Sequence, residues 1–239
     1  MAVYGKGGDN MNVLIACEES QAVCKAFRER GHNAFSCDLK PCTGGHPEWH
    51  IQCDVLQLLH KRFFPVGFVV SFKSCDGMYH NIVGGWDLII AHPPCTYMSK
   101  AGARWMYPTA GNISQERFEK AMEAKQFFLK ILSADCNKIA IENPRPLKVV
   151  DLPKPTQVIQ PYQFGHPYSK ATCLWLEGLP PLEPTEVLTE YKPYCPSNTG
   201  GVTRGQSYNK GGAIRAADDC VNRSKTFEGI AKAMAEQWG

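Results

Sequence analysis

The sequence WDLIIAHPPCTYMSKAG, residues 86–102, carries the clearest structural signal in the chain. Its apolar run LIIA, residues 88–91, has the pattern of a parallel strand that is covered on both faces. Pro93 and Pro94 then end the strand, because proline has no N–H to donate to a neighbouring strand. We therefore expect Cys95 just beyond the carboxyl end of a core strand, which is the edge at which open α/β sheets bind ligands.

Two interpretations of Cys95 follow from this position. As a thiolate it would be a strong nucleophile, and a helix N-terminus or a nearby cation would lower its pKa and favour that form. Alternatively, it is a small apolar filler, since free cysteine is among the most buried residue types. The position of Cys95 alone leaves both interpretations open, so a second motif has to decide between them.

That second motif is KIAIENPRPL, residues 138–147, which repeats the same pattern. Its apolar residues 139–141 predict another short buried strand, and Pro144 marks the stop. Two core strands would thus bring Cys95 and Glu142 to the same sheet edge. Beside a cysteine, Glu142 could act as an acid if partial burial raises its pKa toward neutrality. Otherwise it is a helix N-cap or a surface charge.

Together, the two motifs resemble those of the DNA (cytosine-5) methyltransferases. Pro93-Pro94-Cys95 looks like their nucleophile motif, and Glu142-Asn143-Pro144 is similar to their Glu-Asn-Val motif, in which the Glu contacts the cytosine ring. The pattern is closest to small methyltransferase-like proteins encoded by phages and covers about residues 12–238. The resemblance implies an α/β, Rossmann-like fold of S-adenosylmethionine-dependent methyltransferases: a mostly parallel sheet flanked by helices, with a reduced, loop-rich recognition region.

The N-terminal third has the pattern of a β-α-β unit, with strands at residues 12–16 and 33–38 around a helix at 22–30. The loop after the first strand lacks GxGxxG, which argues against NAD as a ligand. Asp38 follows about 20 residues later, where an acid hydrogen-bonds a ribose. A ribose-bearing ligand without a pyrophosphate fits S-adenosyl-L-methionine.

The predicted cofactor site combines this interpretation with the resemblance. The family usually has Phe-x-Gly-x-Gly in the first loop, from which this chain departs. Asp54, expected in a third strand at residues 51–55, resembles the acid that contacts the adenine amino group. For Asp38 and Asp54, N-capping or turn formation is the alternative. The residues assigned to the cofactor are Glu18, Glu19, Ser20, Asp38, Leu39, Asp54 and Pro93.

On the substrate side, the residues assigned are Asn143, Ser99, Lys100, Arg104 and Lys170. In the family, the loop after the nucleophile closes over a base flipped out of the duplex. Lys100 and Arg104 would meet phosphates there, unless the loop is simply solvated. The family's Gln-x-Arg-x-Arg pattern falls on Tyr168, Lys170 and Thr172, so only Lys170 keeps a cation, and a surface lysine is its alternative interpretation.

Residues 63–85 interrupt the family pattern and predict an insertion, with a hairpin as one form. Residues 114–134 predict a core helix capped by Ser114.

From 191 to 225 the chain has six cations against two acids, with tyrosines between them. Such a composition suits nucleic acid, although a basic solvated loop would look the same. The predicted organisation is a flexible leader (1–11), a catalytic domain (12–179), a reduced basic recognition region (180–225) and a returning C-terminal helix (226–239).

Composition sets the remaining limits. The 239 residues suffice for one large α/β domain, and no apolar run approaches the ~20 residues of a membrane span. The 11 cysteines are scattered, without the spacing of a zinc site or a disulfide framework, and no metal is predicted. Free thiols favour a cytoplasmic protein, bacterial or in a phage-infected host, and we expect a monomer with no membrane partner.

The function implied by the resemblance is methyl transfer from S-adenosyl-L-methionine to C5 of cytosine in DNA, single- or double-stranded, through a covalent bond to Cys95. One alternative is an amino-methyltransferase acting on adenine N6 or cytosine N4, whose Pro-Pro pair has different flanking residues. Others are cytosine-5 modification of RNA or of a free nucleotide, and transfer of a group other than methyl. A non-catalytic, nucleic-acid-binding relic of the fold is the alternative from another class.

Overall fold

The secondary structure is defined over most of the chain. The computed structural model describes residues 1–5, 10–60, 62–64, 67–109, 111–194 and 226–239. Its strands are β1 (Ala2–Tyr4), β2 (Asn12–Ala16), β3 (Asn33–Asp38), β4 (His50–Gln52), β5 (Arg62–Phe64), β6 (Gly67–Lys73), β7 (Tyr79–Val83), β8 (Leu88–Ala91), β9 (Ile139–Pro144), β10 (Gln157–Ile159), β11 (Tyr168–Ser169), β12 (Thr172–Glu177) and β13 (Lys192–Pro193). Its α-helices are α1 (Ala22–Glu29), α2 (Ala103–Met106), α3 (Gln115–Leu132) and α4 (Glu228–Trp238).

The central sheet has seven strands in the order β10-β12-β9-β8-β2-β3-β4. The five strands from β9 to β4 are parallel, and β12 and β10 complete the sheet by antiparallel pairing. From β2 the chain winds outward to β3 and β4, and it then returns to place β8 and β9 on the other side. The strand order thus reverses between β2 and β8, the place where such sheets leave a crevice at their carboxyl ends. The predicted α/β class with a mostly parallel sheet is confirmed.

Helices cover both faces of this sheet, which explains why residues 13–16 of β2 are all apolar and buried. On one face, Val13 and Ile15 belong to a buried cluster with residues of α1 and α4. On the other face, Leu14 belongs to a second cluster that includes Phe128 of α3 and Ile82 of β7. The helix predicted from Ser114 is confirmed as α3, because the Ser114 Oγ accepts a bond from the Arg117 N–H at 3.4 Å.

A second, four-stranded sheet has the order β1-β7-β6-β5. The hairpin predicted within residues 63–85 is confirmed, because β6 and β7 pair in antiparallel. The prediction of a flexible leader over residues 1–11 is wrong for Ala2–Tyr4, which pair with β7 in parallel. Side-chain contacts hold this strand: the Tyr4 ring packs edge-on against Phe35, and its hydroxyl lies 3.2 Å from Nδ1 of His80.

Two strand ends differ from the prediction. The third strand ends at Gln52 instead of residue 55, because Asp54 begins a turn by accepting the Leu56 N–H at 3.0 Å. Conversely, β9 continues through Glu142 to Pro144. Pro144 pairs only with β12, opposite Thr172, because β8 has already ended at this level. The missing proline N–H is therefore not needed on the β8 side.

The described part of the predicted recognition region consists mostly of loops, as expected. Leu182 is fully buried, and its backbone N–H donates to the Gln157 side chain at 2.8 Å. The Tyr191 ring stacks on Tyr162 with 4.0 Å between centroids. The basic residues from 195 to 225 lie outside the described residues. Within the described part, the nine cysteines are free thiols, and no helix is long and apolar enough to cross a membrane.

Candidate active site

The segment that follows β8 lies beside the end of β9 at the carboxyl edge of the sheet. Ala91 and Ile141 are paired in register, so His92, the first residue after β8, is level with Glu142 of β9. The Asn143 side chain is 3% exposed and donates to the Pro93 carbonyl oxygen at 3.1 Å. Asn143, predicted to contact substrate, therefore ties the two segments together in the structure.

Cys95 lies half-buried in the turn after β8. Its carbonyl oxygen accepts the N–H groups of Met98 and Ser99 at 3.1 and 2.9 Å, which fixes the turn around it. Burial raises the pKa of the Cys95 thiol and the charge of Glu142 adds to the rise, whereas Lys170 and a hydrogen bond from Ser99 lower it. A lowered thiol pKa would favour the nucleophile interpretation, but here burial outweighs the charge of Lys170. A proton must therefore leave the thiol when it reacts.

Glu142 is held by two side chains. Its Oε2 accepts a bond from His92 Nδ1 at 2.9 Å and another from the Thr226 hydroxyl at 3.2 Å. Burial alone would raise the pKa of Glu142, but the bond and charge of His92, with Lys170 and Thr226, bring it below its ordinary value. The conditional expectation of a raised pKa is thus wrong, since the carboxylate has a cationic partner.

His92 shows the complementary behaviour. Burial would lower its pKa, yet the bond to Glu142 and the charges of Glu142 and Glu18 bring it above the ordinary value. The side chains of His92 and Glu142 are only 11% and 14% exposed, so water screens their interaction weakly. The other ring nitrogen, Nε2, is buried and has no hydrogen-bond partner among the described residues.

Lys170 is the cation that faces this cluster. It lies in the short segment between β11 and β12, where its backbone N–H donates to the Gln160 side chain at 2.8 Å. Its ammonium group lies 5.6 Å from the Phe227 ring centroid and 5.8 Å from that of Tyr194. Its charge acts on the pKa of Glu142, His92 and Cys95. The structure thus brings Lys170 to the predicted catalytic pair.

The other predicted substrate residues fall into two groups. Ser99 is buried beside Cys95, and the Lys100 N–H donates to the Arg145 carbonyl oxygen at 3.0 Å, so both belong to the fixed part of the loop. Arg104 is exposed, and its guanidinium lies over the ring of Trp105, itself 57% exposed, at 4.4 Å. Arg104 therefore belongs to the outer surface of this loop.

On the β2–β4 side of the same edge, the acids predicted to hold a cofactor lie close to one thiol. Burial, followed by the charges of Asp38 and Asp54, raises the pKa of Cys17 to about 12. Both acids also form turns, since Asp38 accepts the Lys40 N–H at 2.9 Å and Asp54 caps the turn described above. Leu39 is 73% exposed next to Asp38 and offers an apolar surface at this edge.

The polar groups of the first loop, after β2, largely form hydrogen bonds within the protein. The Glu18 side chain is buried and accepts the N–H groups of Val23 and Cys24 at 2.7 and 3.2 Å, which satisfies the start of α1. Burial raises its pKa. The Glu19 carbonyl oxygen accepts the Thr43 N–H at 2.8 Å, and Ser20 is half-buried nearby. In this structure the Glu18 side chain therefore caps the N-terminus of α1.

His92 and Thr226 join the site although the sequence does not single them out. The signal for His92 is its position, because it follows β8 as Glu142 follows the apolar part of β9. Thr226 has no such signal, because it comes 84 residues after the glutamate that it contacts. Only the packing of α4 against the sheet brings it there.

Comparisons with known proteins do not identify the chain. No protein-family model matches it, and no curated protein is similar in sequence. Among the described residues, no group of three or more His, Cys, Asp or Glu side chains is placed to hold a metal ion.

Proposed function

We propose that this protein is a methyltransferase with a Rossmann-like fold that uses S-adenosyl-L-methionine to methylate C5 of cytosine in DNA. The observation that carries the proposal is that Cys95, in the turn after β8, and Glu142, on the paired strand β9, lie at one sheet edge, where the Asn143 side chain joins the two segments through a 3.1 Å bond to the Pro93 carbonyl oxygen. Addition to an unactivated pyrimidine requires two groups, a nucleophile and a general acid that exchanges a proton with the ring.

In the proposed reaction, the Cys95 thiol gives its proton to water, and its sulfur forms a bond to C6 of the ring. The electron pair of the C5–C6 double bond moves toward C5, and the charge that develops on the ring is stabilised through N3 by Glu142. C5 then takes the new group, and loss of the C5 proton returns the electrons and breaks the sulfur–C6 bond. Covalent addition thereby divides one difficult step into easier ones.

The chemistry of the β2–β4 edge fits the proposed cofactor, which supplies an electrophilic methyl group when bound. Asp38 and Asp54 offer carboxylate acceptors for ribose hydroxyl and adenine amino groups. Leu39 offers an exposed apolar side chain between these acids in sequence. Glu19, Ser20 and Pro93 lie along the same edge, whereas Glu18 would act indirectly, by fixing the start of α1.

DNA is the proposed substrate, and a monomer in a bacterial or phage-infected cytoplasm is the proposed setting. Lys170 supports DNA as the substrate because its positive charge lies near the proposed catalytic pair. There it could attract a phosphate or stabilise negative charge that develops on the base. Lys100 and the pair of Arg104 and Trp105 add cationic and aromatic surface on the loop that follows Cys95.

Covalent trapping tests this function. The wild-type protein is incubated with S-adenosyl-L-methionine and single-stranded or duplex DNA containing 5-fluorocytosine, and the intact mass is measured after denaturation. We expect a stable adduct, because fluorine at C5 cannot leave as a proton does. Cys95→Ala should abolish the adduct, whereas Cys75→Ala, which removes an exposed thiol in the β6–β7 turn, should leave it unchanged.

The other outcomes identify the alternatives. An adduct with RNA or a fluorinated nucleotide, but with neither DNA, would change the substrate and keep the chemistry. Cofactor binding without any adduct would favour an amino-methyltransferase. Absence of both cofactor binding and adduct formation would favour the remaining alternative, a non-catalytic protein that keeps the fold and binds nucleic acid. An adduct that persists in Cys95→Ala would refute the assigned nucleophile.

A further inference from the structure

The buried pair of His92 and Glu142 is the feature of the site that the proposed reaction does not yet explain. The two side chains come from neighbouring strand ends and meet at 2.9 Å between Nδ1 and Oε2. Since an ionised carboxylate only accepts, Nδ1 must carry a proton in this bond. The Thr226 hydroxyl donates to the same oxygen, so the carboxyl group is fixed from two sides.

The groups facing this pair come from every element packed around it. Glu142 lies on β9, Glu18 on the loop after β2, and Lys170 just before β12. Thr226 precedes α4, and Cys95 lies three residues beyond His92 on the same segment. Nε2 has no hydrogen-bond partner among the described residues, and the charges of Glu142 and Glu18 favour protonation of the ring. The charge of Lys170 opposes protonation of the ring.

We propose that His92 is a positioning residue that holds the Glu142 carboxyl group in place and keeps one proton on the pair for ring N3 of the cytosine. This inference rests on the proposed function.

The proton path is balanced within the pair. The proposed path starts from an imidazolium at His92 and a carboxylate at Glu142, joined by the bond between Nδ1 and Oε2. When Cys95 adds to C6 and N3 becomes basic, the Nδ1–H bond breaks and an O–H bond forms on Glu142, which leaves a neutral imidazole that keeps its Nε2 proton. The carboxyl group then gives its proton to N3. When the sulfur–C6 bond breaks, the proton returns from N3 to Glu142 and from there to Nδ1.

The first test needs no substrate. The pKa of the His92 ring is measured by NMR titration in the wild-type protein and in Glu142→Gln. We expect it to fall by about 1 to 3 pH units in the variant, as expected for removal of a close opposite charge. The control is Glu48→Gln, which breaks a His–Glu contact of equal length at His46 whose side chains are 38% and 42% exposed. That variant should leave the His92 titration unchanged.

The second test uses adduct formation with 5-fluorocytosine DNA over a range of pH. In the wild type, the rate should decline as the pH rises through the measured pKa of His92. In His92→Gln this decline should be absent at that pH, and the rate below it should be about 10²-fold to 10⁴-fold lower, the usual contribution of a positioned proton donor. Circular dichroism establishes that the variant is folded.

The outcomes separate the two proposals. A His92 titration that Glu142→Gln leaves unchanged would overturn the role of His92, and it remains measurable if His92→Gln does not fold. An adduct whose pH dependence is the same in His92→Gln and wild type would also overturn it. Failure of the wild type to form any adduct, with cofactor bound, would overturn the proposed function whatever the titration shows.

Discussion

At the scale of single residues, the protonation of Glu142 depends more on its partners than on its burial. Burial alone would raise the pKa of this carboxyl group, whereas the bond and charge of His92 bring it below its ordinary value. Cys95 shows the opposite balance, because burial outweighs the charge of Lys170 and its pKa is raised. The effect of burial on the pKa is therefore reversed at Glu142, which has the direct bond from His92, and persists at Cys95.

The pair should make the stability of the protein depend on pH in a defined window. The pKa of His92 is raised, so its contribution is complete below the unfolded value of 6.5 and is lost as pH rises through the folded value. The pKa of Glu142 is lowered, so its contribution is complete above the unfolded value of 4.5 and is lost as pH falls through the folded value. The free energy of unfolding gained from the pair should be greatest between these two values.

Urea denaturation of the wild type, His92→Gln, Glu142→Gln and the double variant measures this gain. Each single variant should be less stable by about 3–5 kcal/mol near pH 5.5, because it leaves a buried partner unpaired. The double variant should be destabilised by less than the sum of the two, and this coupling should shrink on either side of the window. A coupling energy that is the same at pH 5.5 and pH 9 would contradict the assignment.

At the scale of elements, the start of α4 is fitted closely to the segment after β10. The Gly229 N–H donates to Nε2 of His166 at 2.9 Å, and a β-carbon at this position would overlap the Phe164 carbonyl oxygen. Thr226, which bonds Glu142, lies immediately before this turn. The position of α4 therefore supports the site as well as the core.

Replacing Gly229 by alanine should destabilise the protein by about 1–3 kcal/mol, the usual cost of overpacking. Helix propensity alone predicts the opposite sign, a gain of up to about 1 kcal/mol. Urea denaturation distinguishes the two. Lys232→Ala, on the exposed face of the same helix, should change stability by less than about 0.5 kcal/mol. A Gly229→Ala protein that is more stable than wild type would contradict this prediction. It would show that the backbone at the start of α4 shifts to make room for the β-carbon.

The elements differ in how far the sequence predicts them. The strands β2, β3 and β8 are predictable, because apolar runs between turn residues mark strands buried on both faces. β1 is not, because Ala2–Tyr4 has no pattern of its own and depends on contacts with Phe35 and His80. The extension of β9 to Pro144 is equally hidden, because it depends on which strand lies beside it.

For the candidate site, the sequence predicts the sheet edge at which the residues lie but not the hydrogen bonds that they form there. Cys95 and Glu142 follow from the order of two core strands, so their meeting is predictable. The partners of Glu142 are not, because apolar periodicity carries no information on which polar groups bond beyond the strand ends. Glu18 illustrates the same limit: its place in the first loop is predictable, whereas its bonds to Val23 and Cys24 require the structure.

At the scale of the whole molecule, the charge is unevenly distributed. The net charge of the chain is +3, while residues 191–225 alone have six cations and two acids. If this segment binds nucleic acid, affinity should fall with salt, because each neutralised phosphate releases counterions. The described end of the segment, at Tyr191 and Tyr194, already lies against the loops next to Lys170.

Changing Arg204 and Lys210 together to alanine should weaken binding of a cytosine-containing oligonucleotide. The slope of log affinity against log salt should decrease by about 1 for each phosphate that the variant no longer neutralises. The control changes Lys130 and Lys154 to alanine, which lowers the net charge equally but outside this segment. Fluorescence anisotropy between about 50 and 200 mM salt gives both slopes. Equal slopes in the two variants would assign the effect to net charge.

The bond from Thr226 to Glu142 also has a consequence for the order in which the protein is made. The two residues are 84 positions apart, so at about 5–20 residues per second the ribosome adds Thr226 about 4–17 s after Glu142. Throughout that interval the nascent chain already contains Cys95, His92 and Glu142 but lacks the hydroxyl group and the helix that enclose them. The bond to Glu142 therefore forms only after 84 further residues have been added, and until then the candidate site lacks its contact with Thr226.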